Sequence, residues 1–132
     1  MQVNISHRLI KSMIQKGNCF LSENMFVVDL PKALYAIKPF NVGETIRILE
    51  GKLVLQPTRE SIHIGNGQHV IDKYGKFINH SFKPNTKIEL NNVIAIQNIE
   101  KYDEITFNYN ESEINMACPF EIDGVDVCGK LN

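Results

Sequence analysis

The chain has 132 residues, the size of one domain, and its 43% hydrophobic and 22% charged content is that of an ordinary globular protein. A formal net charge of -1 excludes a general attraction to nucleic acid or to an anionic membrane, so any partner has to be recognised at a local site. Three cysteines without a CxxC pair exclude a disulfide framework and a structural zinc cluster; with no signal-peptide or membrane-spanning run, a reduced, cytoplasmic or otherwise intracellular chain is expected.

In chain order, the first element is a helix, because Ile5, Leu9, Ile10, Met13 and Ile14 recur on one helical face and Gly17 offers a stop. Short strands follow at MFVVDL (25–30), ALYAI (33–37), TIRIL (45–49) and KLVL (52–55), punctuated by Pro31, Pro39, Gly43, Gly51 and Pro57. SIHIGNGQHVI is a hairpin turning at Asn66-Gly67, since both residues accept positive φ. TKIELNNVIAIQN (86–98) is a second hairpin, centred on Asn91-Asn92. EITFNY (104–109) alternates, which places Ile105, Phe107 and Tyr109 on one face and Glu104, Thr106 and Asn108 on the other. The tail, 110–132, reads as irregular. The fold class is therefore mostly β with few short helices, arranged as small sheets. A helical flank (1–24), a main unit (25–110) and a tail (111–132) divide a single structural domain.

KFINHSFKPNT (76–86) places an Asn-His-Ser triplet behind an apolar Phe-Ile pair, which alone could be a turn with a half-buried histidine. Together with DEITFNYN (103–110), one hairpin downstream, it resembles the paired diagnostic motifs of the SET domain, FINHSC-x-PN and GE-x-(I/L)-TF-(D/N)-Y. LYAIKPFNVGETI (34–46) is similar to the family's entry segment, and MACPFEIDGVDVCGKL (116–131) to a reduced form of its post-SET tail. The resemblance implies a SET fold, small sheets around a pseudoknot, and methyl transfer from S-adenosylmethionine to a lysine of a protein or peptide substrate. It implies that Asn79 and His80 line the cofactor site with the Lys32, Ala33 and Leu34 backbone, with Phe120 closing it. It also makes Tyr109 the residue that orients the acceptor amine, with Thr106 and Phe107 supporting the wall of the substrate channel. No metal, membrane or direct nucleic-acid contact is implied.

The chemistry suits those residue types. Lysine is protonated at neutral pH, its unperturbed pKa being near ~10.4. A desolvated channel beside a sulfonium charge disfavours the ammonium, and what is then needed is alignment, which an uncharged tyrosine hydroxyl can supply. Departures from the family pattern support a second reading. Pro31-Lys32-Ala33 stands where the family carries G-x-G, so an N–H is missing at Pro31 and a Cβ is added at Ala33. Phe82 replaces the cysteine of NHSC, and the tail keeps only Cys118 and Cys128. The alternative is a catalytically degenerate SET module that binds a partner protein. His63 and His69 could clip a metal across their hairpin but lack a third ligand, and nothing near Cys19 marks a nucleophile.

Overall fold

The computed structural model describes residues 7–15, 19–21, 25–29 and 32–130. Its elements in chain order are α1 (His7–Gln15), β1 (Cys19–Leu21), β2 (Met25–Asp29), β3 (Lys32–Ala36), β4 (Thr45–Ile48), β5 (Gly51–Val54), β6 (Ile62–His63) and β7 (His69–Asp72). A 3-10 turn (Gly75–Phe77) leads into β8 (Asn79–His80), β9 (Thr86–Glu89), β10 (Asn92–Ala95), β11 (Thr106–Phe107), α2 (Tyr109–Ser112), β12 (Phe120–Ile122) and β13 (Val125–Val127). The strands form small sheets with orders β1-β2-β3, β4-β10-β9, β5-β7-β6, β8-β11 and β12-β13; among the described strands β8 and β11 alone pair in parallel. This is the expected mostly-β architecture.

β3 positions the core. Its alternation sends Leu34 and Ala36 into the main cluster with Phe40, Ile46, Val93 and Ile105, and sends Ala33 and Tyr35 to the other face. There α1 lies across the strand through Ile10, backed by Met13 and Ile14, so β3 is buried on both sides. Leu9 was expected on that helical face but is about half exposed. Ile10, Met13 and Ile14 already span an i, i+3, i+4 stripe, and Leu9 sits about 100° behind it. Ile5 and Gly17 lie outside the described residues.

The first hairpin turns where expected: Asn66 and Gly67 have φ of 54° and 71°, and Gln68 N donates to the Gly65 carbonyl. The second turns one residue earlier than expected. Glu89 pairs with Asn92, so Leu90 and Asn91 form the loop, and Leu90 takes the positive φ of 54°. Two further expectations are corrected. The stretch 104–109 is not one alternating strand: Ile105, Thr106 and Phe107 are all buried, and the chain leaves β11 to enter α2 at Tyr109. The tail is ordered as the hairpin β12-β13.

Candidate active site

The two motif segments meet edge to edge. Asn79 pairs with Thr106 and His80 with Phe107, and Ser81 N donates to the Phe107 carbonyl at 3.1 Å. The pair is too short to hold itself together, and Asn85 and Thr86 complete it. The Asn85 side chain behaves as an added peptide group: its Nδ2 donates to the Glu104 carbonyl at 2.8 Å and its Oδ1 accepts from Thr106 N at 3.0 Å. Thr86 Oγ1 donates to the Thr106 carbonyl at 2.7 Å. That is the physical content of the Pro-Asn-Thr run. Buried backbone groups that find no strand partner must be matched by side chains.

Beside this junction opens a cleft of about 550 Å³, within the usual range for small-molecule sites. Ser61, Ile62, Gly75, Lys76, Ile78 and Asn79 line one side, His80, Phe107, Tyr109 and Glu113 the floor, and Met116–Phe120 of the tail the other side. His80 is buried, and its Nδ1 accepts the Tyr109 N–H at 3.0 Å, so the proton of the neutral ring sits on Nε2. Burial lowers the His80 pKa, which keeps that neutral form. Nε2 is itself buried and has no partner among the described residues. An unmatched buried donor costs about 1–3 kcal/mol, a cost that a bound ligand's acceptor would remove. The rings of Phe82, Tyr109 and Phe120 stand edge-on to His80, with centroids 4.4, 5.3 and 6.0 Å away.

Tyr109 opens α2, where Asn108 caps the helix by accepting from Asn110 N. Its ring packs against Phe107 at 4.7 Å and its hydroxyl donates to the Ile78 carbonyl. Burial, then the charges of Glu113 and Glu104, push its pKa well up, so the hydroxyl stays protonated. It cannot serve as a base. With its proton committed to Ile78, its oxygen lone pairs can accept an N–H.

Of the residues named from the sequence, Asn79, His80, Phe107, Tyr109 and Phe120 therefore gather at one cleft. Ala33 and Leu34 are buried on opposite faces of β3 and do not line the cleft. Lys32 reaches it indirectly, its carbonyl accepting from Asn79 Nδ2 at 3.2 Å; Pro31 lies outside the described residues. Thr106 is spent in the Asn85–Thr86 junction instead of the cleft wall. Sequence reasoning missed Glu104, which accepts from Asn79 Nδ2 at 3.0 Å, although it lies inside the second motif. It also missed the buried Glu113, whose only signal is its place four residues after Tyr109.

His63 and His69 do sit opposite each other, with rings 5.1 Å apart. Both nitrogens of His63 are engaged, Nδ1 with the Ser112 carbonyl and Nε2 with Gly67 N, which leaves no lone pair for a metal. The tail is fastened by Asn110, whose side chain bonds the backbone of Asp126, Cys128 and Gly129. Elemental analysis of the purified protein is accordingly expected to find no stoichiometric zinc, and EDTA to leave its melting temperature unchanged. One zinc per chain with melting lowered by EDTA would overturn this.

The SET domain family profile matches residues 11–110. Among solved structures, the chain is similar to a Plasmodium falciparum protein named as a candidate histone methyltransferase, with a TM-score of 0.54 and 23% identity over 70% of this chain and 98% of that one. It is also similar to a chain of an active polycomb repressive complex 2 in the stimulated state, with a TM-score of 0.56 and 18% identity over 90% of this chain. A chain of a humanized Chaetomium thermophilum Polycomb Repressive Complex 2 gives a TM-score of 0.50 and 16% identity over 75% of this chain. This chain spans 18% and 17% of those two longer chains. No curated protein sequence matches it. Among the described residues no helix is long and apolar enough to cross a membrane. With the profile spanning both motif segments and the junction they build, the chain belongs to the SET-domain family.

Proposed function

We propose that the chain transfers a methyl group from S-adenosylmethionine to the side-chain amine of a lysine in a protein or peptide. The observation that carries this reading is the junction of the two motif segments at one cleft, with a neutral, protonated Tyr109 hydroxyl on its floor. The residues suit the cofactor. The unmatched His80 Nε2–H offers a buried donor, Asn79 Oδ1 accepts nothing among the described residues, and the Phe120 ring gives an apolar wall for a flat base. When bound, S-adenosylmethionine supplies an electrophilic methyl on a sulfonium. The protein's part is to strip water from the amine, align it and accept one of its N–H bonds at Tyr109.

A second reading, a binding module without catalysis, rests on Pro31-Lys32-Ala33 in place of G-x-G. One lost neutral hydrogen bond costs ~0.5–1.5 kcal/mol, up to roughly tenfold in affinity, which a working site tolerates. Calorimetry with S-adenosylhomocysteine decides between the two. Binding is expected with a Kd on the order of micromolar to sub-millimolar, further weakened by Asn79→Ala. Silence at millimolar ligand from folded protein would hand the case to the binding module.

A further inference from the structure

The cleft carries two acidic residues, Glu60 and Glu113, and they differ in kind. Glu60 is exposed and lies 3.7 Å from Lys76 Nζ. Glu113 is only 7% exposed, and among the described residues no Lys or Arg pairs with it. Its N–H donates to the Tyr109 carbonyl at 2.9 Å, which closes the single turn of α2 and places it one turn beyond Tyr109.

The carboxyl is half satisfied. Oε2 accepts from His63 N at 3.0 Å and faces Ser112 Oγ at 3.4 Å, whereas Oε1 accepts nothing among the described residues. Of the basic residues that line the cleft, Lys76 pairs with Glu60, and neither it nor Arg59 makes an ion pair with Glu113 among the described residues. Both nitrogens of the His63 ring are already engaged, with the Ser112 carbonyl and with Gly67 N. The pKa of His69, behind it, is lowered by burial and then by His63. The charge of Lys130 is not involved, since that residue meets Glu113 only through a backbone N–H to its carbonyl. A buried carboxylate with no counter-cation is costly, and proteins normally place one so only where a cation arrives.

We propose that Glu113 is the specificity-determining carboxylate of the substrate channel, receiving the cationic head of the acceptor side chain on entry at its free oxygen beside Tyr109, ahead of the neutral amine that transfer needs. This rests on the methyl-transfer reading for the identity of the substrate, but the affinity of the channel for an alkylammonium does not. Burial pushes the Glu113 pKa up to about 7 against the opposing hydrogen bonds from His63 and Ser112, so the group is poised to ionise when a cation approaches. Discrimination follows from chemistry: an ammonium gains a charge-assisted bond here, and a neutral head of the same shape does not.

The test is an amide NMR titration of the full chain at pH 8 with n-butylammonium chloride, with n-butanol as the neutral probe. Wild type should show saturable shifts at 109–113 and prefer the ammonium. Glu113→Gln, which keeps an acceptor for His63 N–H, should weaken ammonium binding by roughly tenfold or more and leave butanol unchanged. Glu113→Asp, which keeps the charge, should retain the preference and covers the case in which the glutamine variant fails to fold. Equal response of wild type to both probes, or an ammonium preference surviving in Glu113→Gln, overturns the assignment. Ammonium preference without methyl transfer to lysine peptides would refute the proposed reaction while leaving Glu113 its ligand. Methyl transfer with an unchanged peptide KM in Glu113→Gln would do the reverse.

Discussion

Replacing Asp72 by alanine is expected to destabilise the protein by about 3–5 kcal/mol, enough to lower its melting temperature by on the order of 10–20 °C. Asp72 is fully buried at the end of β7, and its carboxylate is a hub. Arg47 grips it with two N–H groups, Nε at 2.7 Å and Nη2 at 3.0 Å, while lying over the Tyr74 ring. Glu50 N, Tyr74 N and Gly75 N donate to it as well. Alanine would strand a half-buried guanidinium and several backbone donors at once. It would also loosen the 3-10 turn that delivers β8 to the cleft. The packing is close here: a Cβ on Gly75 would meet Leu49 Cδ2 at 2.5 Å and Asp72 Oδ2 at 3.0 Å, so nothing larger than glycine fits.

The pH dependence of that deficit has a definite sign. Burial alone would raise the Asp72 pKa, but the Arg47 hydrogen bond, the Glu50 and Gly75 N–H groups and the Arg47 charge outweigh it and hold it below 3.8. A folded-state value below the unfolded one gives stability that is present above the unfolded pKa and lost as pH falls through the folded one. Denaturant unfolding should therefore show the full gap between wild type and Asp72→Ala at pH 7, shrinking below pH ~3.8. Equal stability at pH 7 would show that Arg47 is not held by this contact.

The second large effect is catalytic. Tyr109→Phe should reduce methyl transfer by ~10²-fold or more, the usual loss when one well-placed polar group at a reacting centre is removed. The same change should cost only about 1 kcal/mol of stability, since it leaves the Ile78 carbonyl without the phenol but keeps the ring against Phe107 and His80. Methylation of a peptide array by both proteins is the measurement, with melting curves as the control. Equal rates would remove Tyr109 from the reaction.

What was legible in the sequence was what local chemistry dictates. Asn66-Gly67 announces its own turn, and Asn79-His80 with Phe107 and Tyr109 announce the cleft, because those residue types are unusual at those spacings. Thr106 and Glu113 were not legible, for opposite reasons. Alternation assigned Thr106 to an outer face, but β11 is buried on both sides and is only two residues long, so a period of two had nothing to act on. Glu113 reads as one more surface acid until His63, fifty residues away in the chain, is folded against it. The Leu90 turn was misplaced by one residue because an Asn-Asn pair looks like the natural site for positive φ, and the register of β9 with β10 overrode that preference.

Asn110 joins the tail to the rest of the molecule, and backbone bonds from Met116 N to the Cys128 carbonyl and from Lys130 N to the Glu113 carbonyl fold the tail on itself. Of the hairpin β12-β13, Val127 is fully buried, whereas Glu121 and Val125 face solvent. Such a unit opens at a free energy well below that of global unfolding, because little apolar surface is uncovered when it detaches. Phe120 and the 116–119 segment travel with it, and they form one whole side of the cleft. Detachment of this hairpin would open the cleft without rearranging the core, and amide hydrogen exchange is expected to be faster across 120–127 than across β3 or β10.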